Sequence, residues 1–380
     1  MKKSILFLGG GPLAIPIFKW AKEIGFNLIV NDQNPDAPGL KYADTIIHFD
    51  STDVRRLSNW VLINNSKHNI QYCHCGSDFG LLTSTVIHHI LDLPTNHLES
   101  IFNGLDKSLM KRSWENSGVI FPKSKIVNNV SDILSVVESV GLPIVIKPTD
   151  SSGSRGVSII INKQDIEKAF NEALKYTETG DVIAEEYIEG THHDVNGLFW
   201  NGTFYKCGVG DRFFTPIPFP VPHHGYFPSI LSDSKKDKLY NYLKVGSTSM
   251  GIINGPVKAD FVIDKNGNSY VYEISPRFHG DIFTTRTMGF LGIKNPIYQF
   301  FKLIYDDSYS KFIDIDSADS VGCWKTIFNN SDIPANKTDF DVHILNPNVD
   351  KIIKNNTQIM GLAWCNKQNF KELNSFLNNY

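Results

Sequence analysis

The sequence predicts a mixed chain, α/β in its first hundred residues and α+β after them. Three observations carry this. Ser4–Leu8 is an apolar run that leads into Gly9-Gly10-Gly11-Pro12, an amphipathic segment and a second apolar run, the order of a βαβ unit. Residues 144–160, IVIKPTDSSGSRGVSII, place two β-branched runs on either side of a Gly- and Ser-rich loop. From Val195 onward strand and turn patterns replace helical ones.

Each element follows from its residues. The apolar period of Leu13–Ile24 predicts a helix that Gly25 ends as a C-cap, and Asn27–Asn31 a second strand with Asp32 beyond it. Thr45–Phe49 and Ile70–His74 add strands to a small doubly wound unit, and Leu81–Leu91 a helix. Helices are expected from Asp106 to Ser117, closed by Gly118, and from Ser131, as N-cap, to Val140, closed by Gly141. After the 144–160 hairpin come a helix over Lys163–Tyr176 and a strand, Val182–Tyr187. Leu198–Trp200 and Phe204–Val209 flank a turn at Asn201-Gly202. Residues 211–230, rich in Pro, Phe and His without a period, are expected to form a long ordered loop. A helix from Asp233 to Met250 precedes strands Val257–Ile263 and Ser269–Ser275, and a terminal helix is expected at Asn369–Leu377.

At 380 residues the chain exceeds one small core and predicts several units. Hydrophobic residues at 41% and charged ones at 20% are a soluble globular balance. A formal net charge of −3 supplies no bulk positive field, so neither nucleic acid nor membrane is expected as a partner. No stretch reaches the ~18 apolar residues of a membrane span, and MKKSILFLGGG reads as a strand rather than a signal peptide, which predicts a cytoplasmic protein. Five scattered cysteines argue for reduced thiols. Cys73-His74-Cys75 has no second Cys/His pair at zinc spacing, so strand-end packing is its simpler role.

In the 144–160 hairpin, Lys147 ends a strand and Ser151, Ser152, Gly153, Ser154, Arg155 and Gly156 follow. Small residues let backbone N–H groups approach a large anion, hydroxyls add donors, and Lys147 brings a point charge. A plain turn would also use Gly and Ser, though rarely so many with an arginine. The loop is no Walker A motif, because a strand follows it where that motif needs a helix.

This hairpin resembles the phosphate clamp of the ATP-grasp superfamily, in the carboxylate–amine ligase type that includes D-alanine–D-alanine ligase, biotin carboxylase and carbamoyl-phosphate synthetase. Other parts occur in the family's order. DKSLMKRSWENSGV (106–119) resembles its Asp-Lys helix, which implies that Lys107, or else Lys111, reaches ATP phosphates. VIAEEYIEG (182–190) resembles its adenine-binding hinge, which implies Glu185 facing the adenine amino group, Glu186 beside it, and backbone of Tyr187 and Ile188 on the ring edge. The family has a ribose-binding Glu after the hinge where this chain reads Thr191-His192-His193-Asp194, so His192, another histidine or Asp194 would meet the ribose. The resemblance covers roughly residues 1–310. It implies an N-terminal pre-ATP-grasp domain (1–103), a first ATP-grasp subdomain with hairpin and hinge (104–190), a second with metal strands (191–310) and a small C-terminal appendage (311–380).

Residues 259–277, ADFVIDKNGNSYVYEISPR, resemble the family's metal strands. Strand alternation puts Glu273 and Ser275 on one face and turns Tyr272 and Ile274 away, while Asp260 meets them from the partner strand. Two carboxylates on one face repel unless a cation separates them, and Mg²⁺ (or Mn²⁺) with phosphate oxygens suits such a pair. Two strand acids paired with surface lysines would be the plainer outcome. Asp264-Lys265-Asn266-Gly267 resembles the start of an EF-hand, but a strand follows and position twelve is Ser275. The family commonly has Asn where Ser275 stands.

The first unit's glycines and Asp32 also fit a dinucleotide fingerprint, making an NAD-dependent oxidoreductase the runner-up. Pro12 crowds that turn, and no hydride chemistry is visible downstream. In the ATP-grasp reading Gly10, Gly11, His74, Gly76, Ser77 and Asp78 border the acceptor site, and Arg212, His223 and His224 come from a loop over it. Arg277 and Arg286 are candidates to grip a carboxylate, Arg277 also to offset phosphoryl charge alongside Lys147, and His279 lies close by. The histidine pairs could equally be packed or solvated. The expected activity is ATP-dependent joining of small-molecule carboxylate and amine through an acyl phosphate. The alternatives are a bicarbonate-activating carboxylase, or a nucleotide-binding regulator. Homodimers are common in the superfamily.

Overall fold

The structure is a computed structural model and describes residues 2–218, 220–280, 283–306, 308–309, 312–315, 320–333, 340–345 and 359–367. The expected terminal helix at 369–377 lies outside them. Three sheets organise the chain. The first is parallel: β1 (Ser4–Leu8), β2 (Asn27–Asn31), β3 (Thr45–Ile47) and β4 (Ile70–Cys75), in the order β3-β2-β1-β4. Parallel neighbours need crossovers, and helices α1 (Ile15–Ile24) and α2 (Val54–His68) provide them. Gly25 takes φ 123° at the end of α1, a left-handed C-cap that suits glycine. The sequence reading did not single out α2, which buries only Leu57, Ser58 and Val61 and so shows little apolar period.

α3 (Leu81–Ile90), α4 (Leu98–Leu105) and α5 (Lys107–Trp114) lead to a four-stranded antiparallel sheet. It is built from β5 (Ser124–Val127), β6 (Ile144–Pro148), β7 (Ser158–Ile160) and β8 (Val182–Glu186), in the order β5-β8-β6-β7. α6 (Val130–Val140) and α7 (Ile166–Leu174) cover it through Ile133, Val137, Phe170 and Ala173. The N-cap of α6 is Asn129 rather than Ser131. Asn129 is extended and its side chain accepts the Asp132 N–H at 3.0 Å, which starts the helix earlier and leaves Ser131 inside the first turn.

The third sheet has eight antiparallel strands. These are β9 (Gly190–Trp200), β10 (Thr203–Phe214), β11 (Pro222–Phe227), β12 (Gly255–Asp264), β13 (Ser269–Ser275), β14 (Val321–Ile327), β15 (Asp341–Ile344) and β16 (Gly361–Lys367). Their order is β13-β12-β9-β10-β11-β14-β16-β15, so the described C-terminal strands extend this sheet. The expected loop over 211–230 is a correction: β10 runs to Phe214, and β11 fills the place between β10 and β14. One of its two partners, β14, comes about a hundred residues later, so the local sequence shows only half of its pairing. Gly225 of β11 is required there, because a Cβ would overlap the Trp324 indole.

α8 (Asp233–Ser249) packs Leu239, Tyr240 and Leu243 behind β9 and β12, in a core that includes Trp114 of α5. A second core joins the parallel sheet to the large one. Phe7, Phe18 and Phe26 meet Phe300 and Phe301 of α9 (Pro296–Tyr305), with Leu198 and Cys207 of the large sheet beneath. Phe301 lies 6.1 Å from the Phe7 ring centroid and 6.3 Å from that of Phe26, both edge-on. Among the described residues no helix is long and apolar enough to cross a membrane.

Phe301 is fully buried at this junction. Phe301→Ala is expected to lower unfolding free energy by about 3–5 kcal/mol. Equilibrium denaturation checks it, and an unchanged midpoint would show that α9 does not hold the two sheets together.

Candidate active site

Lys107 and Lys111 lie one turn apart on α5, so both side chains leave the same face. Asp106 caps that helix, accepting the N–H groups of Ser108 and Leu109 at 2.8 and 3.0 Å. The Lys107 N–H donates to the Thr149 carbonyl at 2.9 Å, which ties the helix start to the end of β6. Lys107 Nζ donates to the Ser151 carbonyl at 2.6 Å and lies 3.8 Å from Glu273 Oε2. Lys111 Nζ is 2.8 Å from one Glu185 oxygen, and Lys147 Nζ donates to the other. Burial pushes the Glu185 carboxyl up, but the two ammonium groups outweigh it and hold the pKa at about 2. Burial lowers Lys107 and Lys111 against the pull of nearby carboxylates. Glu185, expected to face adenine, thus has both oxygens against lysines.

The loop after β6 is strongly turned, with Gly153, Ser154 and Gly156 at φ 69°, 61° and 71°. Glycine suits that conformation, and Ser154 holds it at a steric cost. Asp150 fixes the base of the loop by accepting the N–H groups of Glu178 and Thr179 at 2.9 and 2.8 Å. Arg155 donates to the Ser152 carbonyl at 3.1 Å and sets its guanidinium 5.0 Å from the Phe79 ring centroid. It bridges toward the first unit rather than pointing into the cleft. Thr149 Oγ1 and Ser151 Oγ are buried without a hydrogen-bond partner, two donors in reserve beside the lysines.

On the large sheet Asp260 stands directly opposite Glu273. The expected repulsion is relieved by a residue the sequence reading missed. Lys258 Nζ lies 2.9 Å from Asp260 Oδ2 and 2.8 Å from Glu273 Oε1. Two residues before Asp260 on β12, it shares that face by alternation, and this was the signal available. Burial lowers the Lys258 ammonium, yet the two carboxylates carry it above the usual lysine range. Ser275 Oγ donates to Glu273 at 3.4 Å. His279 Nε2 is 3.1 Å from Asp260 and 3.6 Å from Asp194, and its Nδ1 is 3.2 Å from Asn196 Oδ1. Arg212 NH2 pairs with Asp194 at 2.8 Å.

Tyr272 is not turned away as alternation implies. The register of β12 and β13 shifts between Asp260 and Phe261, which makes Tyr272 the extra residue of a bulge. Its ring lies 5.8 Å from Lys147 Nζ and near-parallel to His192 at 6.2 Å, and its hydroxyl donates to the Ile188 carbonyl at 3.3 Å. Ile274 faces the core as expected. In the hinge, Glu186 accepts the Lys123 N–H at 3.4 Å and the Tyr187 N–H donates to Pro143. Burial pulls His192 down to about 4, so its ring is neutral near pH 7.

Arg277 makes a two-pronged pair with Asp78, both bonds 2.7 Å, joining the start of α3 to the end of β13. Beside it lies a cavity of about 330 Å³ whose lining includes Gly11, His74, Gly76, Ser77 and His279. Gly76 and Gly280 meet closely there, since a Cβ on Gly280 would overlap the Gly76 carbonyl oxygen. Other expected substrate residues lie elsewhere. Gly10 donates its N–H to Asp32 at 2.7 Å, so the acid that a dinucleotide fold directs at ribose instead braces the glycine turn. Arg286 pairs with Asp341 at 2.6 Å and lies 3.0 Å from His343, both on β15 at the edge of the large sheet. His223 and His224 contact each other at 2.7 Å, and His224 stacks on Phe213, away from the cavity lining.

A family profile described as an ATP-grasp domain matches residues 140–286, the stretch holding the hairpin, the hinge and the paired carboxylates. Residues 140–286 are similar to the ATP-grasp domain family. The chain is 27% identical to alanine–anticapsin ligases of Bacillus amyloliquefaciens and Bacillus subtilis over 47% of its length and 42% of theirs, so it spans less than half of these curated relatives. Its whole fold is similar to an L-amino acid ligase from Bacillus licheniformis (15% identity, 100% of this chain and 96% of the other, TM-score 0.80). It is also similar to a phosphoribosylglycinamide synthetase from Anaerococcus prevotii (20%, 99% and 97%, TM-score 0.72). The lysines, the loop and the carboxylate face lie side by side, joined by Lys107, which touches both Ser151 and Glu273.

Asp78, Glu185, Asp260 and Glu273 are all held below their ordinary values. Such carboxylates add stability above the ordinary carboxyl range and lose it as acid protonates them. The melting temperature is therefore expected to fall as pH drops from the ordinary glutamate value of 4.5 toward about 2. Glu185→Gln should be less stable at pH 7 yet lose less on acidification. Equal acid slopes for both proteins would remove Glu185 from that account.

Proposed function

We propose that the chain is an ATP-dependent carboxylate–amine ligase, forming an amide or peptide-like bond and releasing ADP and phosphate. The observation that carries this is the adjacency of Lys107, Lys111 and Lys147 and the unpartnered Thr149 and Ser151 hydroxyls to a pair of opposed carboxylates. A substrate carboxylate oxygen attacks the γ-phosphorus of ATP and ADP leaves. An amine nitrogen then attacks the acyl carbon, phosphate departs, and the amine gives up a proton. Such a reaction asks the protein for positioning and charge compensation, and no side-chain nucleophile is required. The relatives named as ligases support this reading.

The acids fit a divalent cation. Asp260, Glu273 and Ser275 offer an oxygen-only set on one face, and the Lys258 ammonium between the carboxylates marks a place that favours positive charge. Asp260, Glu273 and Ser275 would hold Mg²⁺, which when bound supplies charge neutralisation for the phosphates. Lys107, Lys147 and the loop hydroxyls bind and orient the polyphosphate, and Glu185 keeps Lys111 and Lys147 aimed at it. Tyr272 and His192 are positioned to flank the nucleoside. Arg277 would reach substrate by exchanging Asp78 for it.

ADP release from MgATP, with pooled carboxylic and amino acids and with or without bicarbonate, tests the reading. Glu273→Ala is expected to lower turnover by about 10²–10³-fold with the fold retained, and wild-type rates in that variant would sink the metal assignment. Lys258→Met should melt several degrees below wild type in EDTA and regain more than wild type when Mg²⁺ is added. Equal Mg²⁺ shifts in the two proteins would mean that ion and ammonium do not share those oxygens.

A further inference from the structure

The cavity beside Arg277 is walled by Phe7, Leu13 and Ile17 of the first unit and by Phe278 and Ile297 across from them. Among the described residues its lining contains no lysine, arginine, aspartate or glutamate. His74 does not supply a charge either, since burial pulls its imidazole down to about 4. The polar groups gather at one end, where Ser77 and His279 join the backbone of Gly76 and Gly280. His279 in turn touches Asp260, so that end opens toward the carboxylate face where phosphoryl transfer is proposed. At about 330 Å³ the space is at the small end of ligand pockets and suits a body the size of one amino acid.

We infer that this cavity selects a substrate with an uncharged, apolar body of single-amino-acid size, its reacting group at the His279 end and its side chain against Phe7, Ile17 and Ile297. The inference rests on the ligase reading for what happens to that substrate, but not for what binds. A charged side chain or a phosphate held against Phe7, Ile17 and Ile297, away from the Arg277 end, would lose hydration and find no counter-charge among the described lining residues. An aliphatic or aromatic one exchanges water for apolar walls.

Calorimetric binding in the presence of MgADP tests selection apart from turnover, with leucine, methionine and phenylalanine set against aspartate, lysine and ribose 5-phosphate. At least tenfold tighter binding of the apolar members is expected. Comparable or tighter binding of the charged ones, or no binding by any, overturns the inference. Ala14→Phe, which adds bulk to a lining residue, should weaken phenylalanine at least tenfold and alanine less than threefold. Equal losses for both, or no loss for phenylalanine, place the ligand elsewhere. ADP release is then measured with the same panel and a pooled partner substrate. Apolar binding without ADP release overturns the ligase reading and leaves the selectivity standing.

Discussion

Glu185 is a buried carboxylate with Lys111 of α5 on one oxygen and Lys147 of β6 on the other. It ties helix α5 to two neighbouring strands of the second sheet. Taking such charges out of water is expensive, and a fully packed apolar cluster would often be as stable. Removing one partner is another matter, because it strands the remaining charge in a low-dielectric place. The cluster is therefore hard to lose piecemeal, and it keeps two ammonium groups desolvated and fixed at the mouth of the glycine-rich loop. Under the proposed reading, a preset array of that kind would bind polyphosphate without first having to order the lysines.

The same principle repeats across the cleft. Lys258 answers Asp260 and Glu273, Arg212 answers Asp194, and Arg277 answers Asp78. Each cation is matched by protein carboxylates, so the cleft is near electrical balance. Incoming phosphate and metal can exchange with these partners one for one. The Arg277–Asp78 pair has a second consequence, since it links the parallel sheet to the carboxylate strands. With Gly76 against Gly280 and the shared core around Phe301, it fixes the distance between the apolar cavity and the Asp260–Glu273 face.

The apolar cavity and the charged cleft are neighbours with opposite demands, and His279 lies between them. Its ring touches Asp260 and Asn196 on one side and lines the cavity on the other. The reacting ends of two substrates can meet there while their bodies stay in different surroundings.

By itself the sequence determined what depends on near neighbours. The limits of β1 and β2, the glycine that ends α1, the hairpin after Lys147 and the shared face of Asp260, Glu273 and Ser275 all follow from period, capping and alternation, which act within a few residues. Lys258 was legible by the same alternation. Tertiary structure decided the rest. The bulge that brings Tyr272 to the site depends on register with another strand, β11 is held between β10 and a strand a hundred residues away, and Arg286 is claimed by Asp341 of a strand still farther along. Glu185's two lysines come from different elements, and the apolar character of the cavity's described lining is a property of several segments at once. Local rules choose a conformation for each stretch, but only packing chooses which charges and which apolar faces meet.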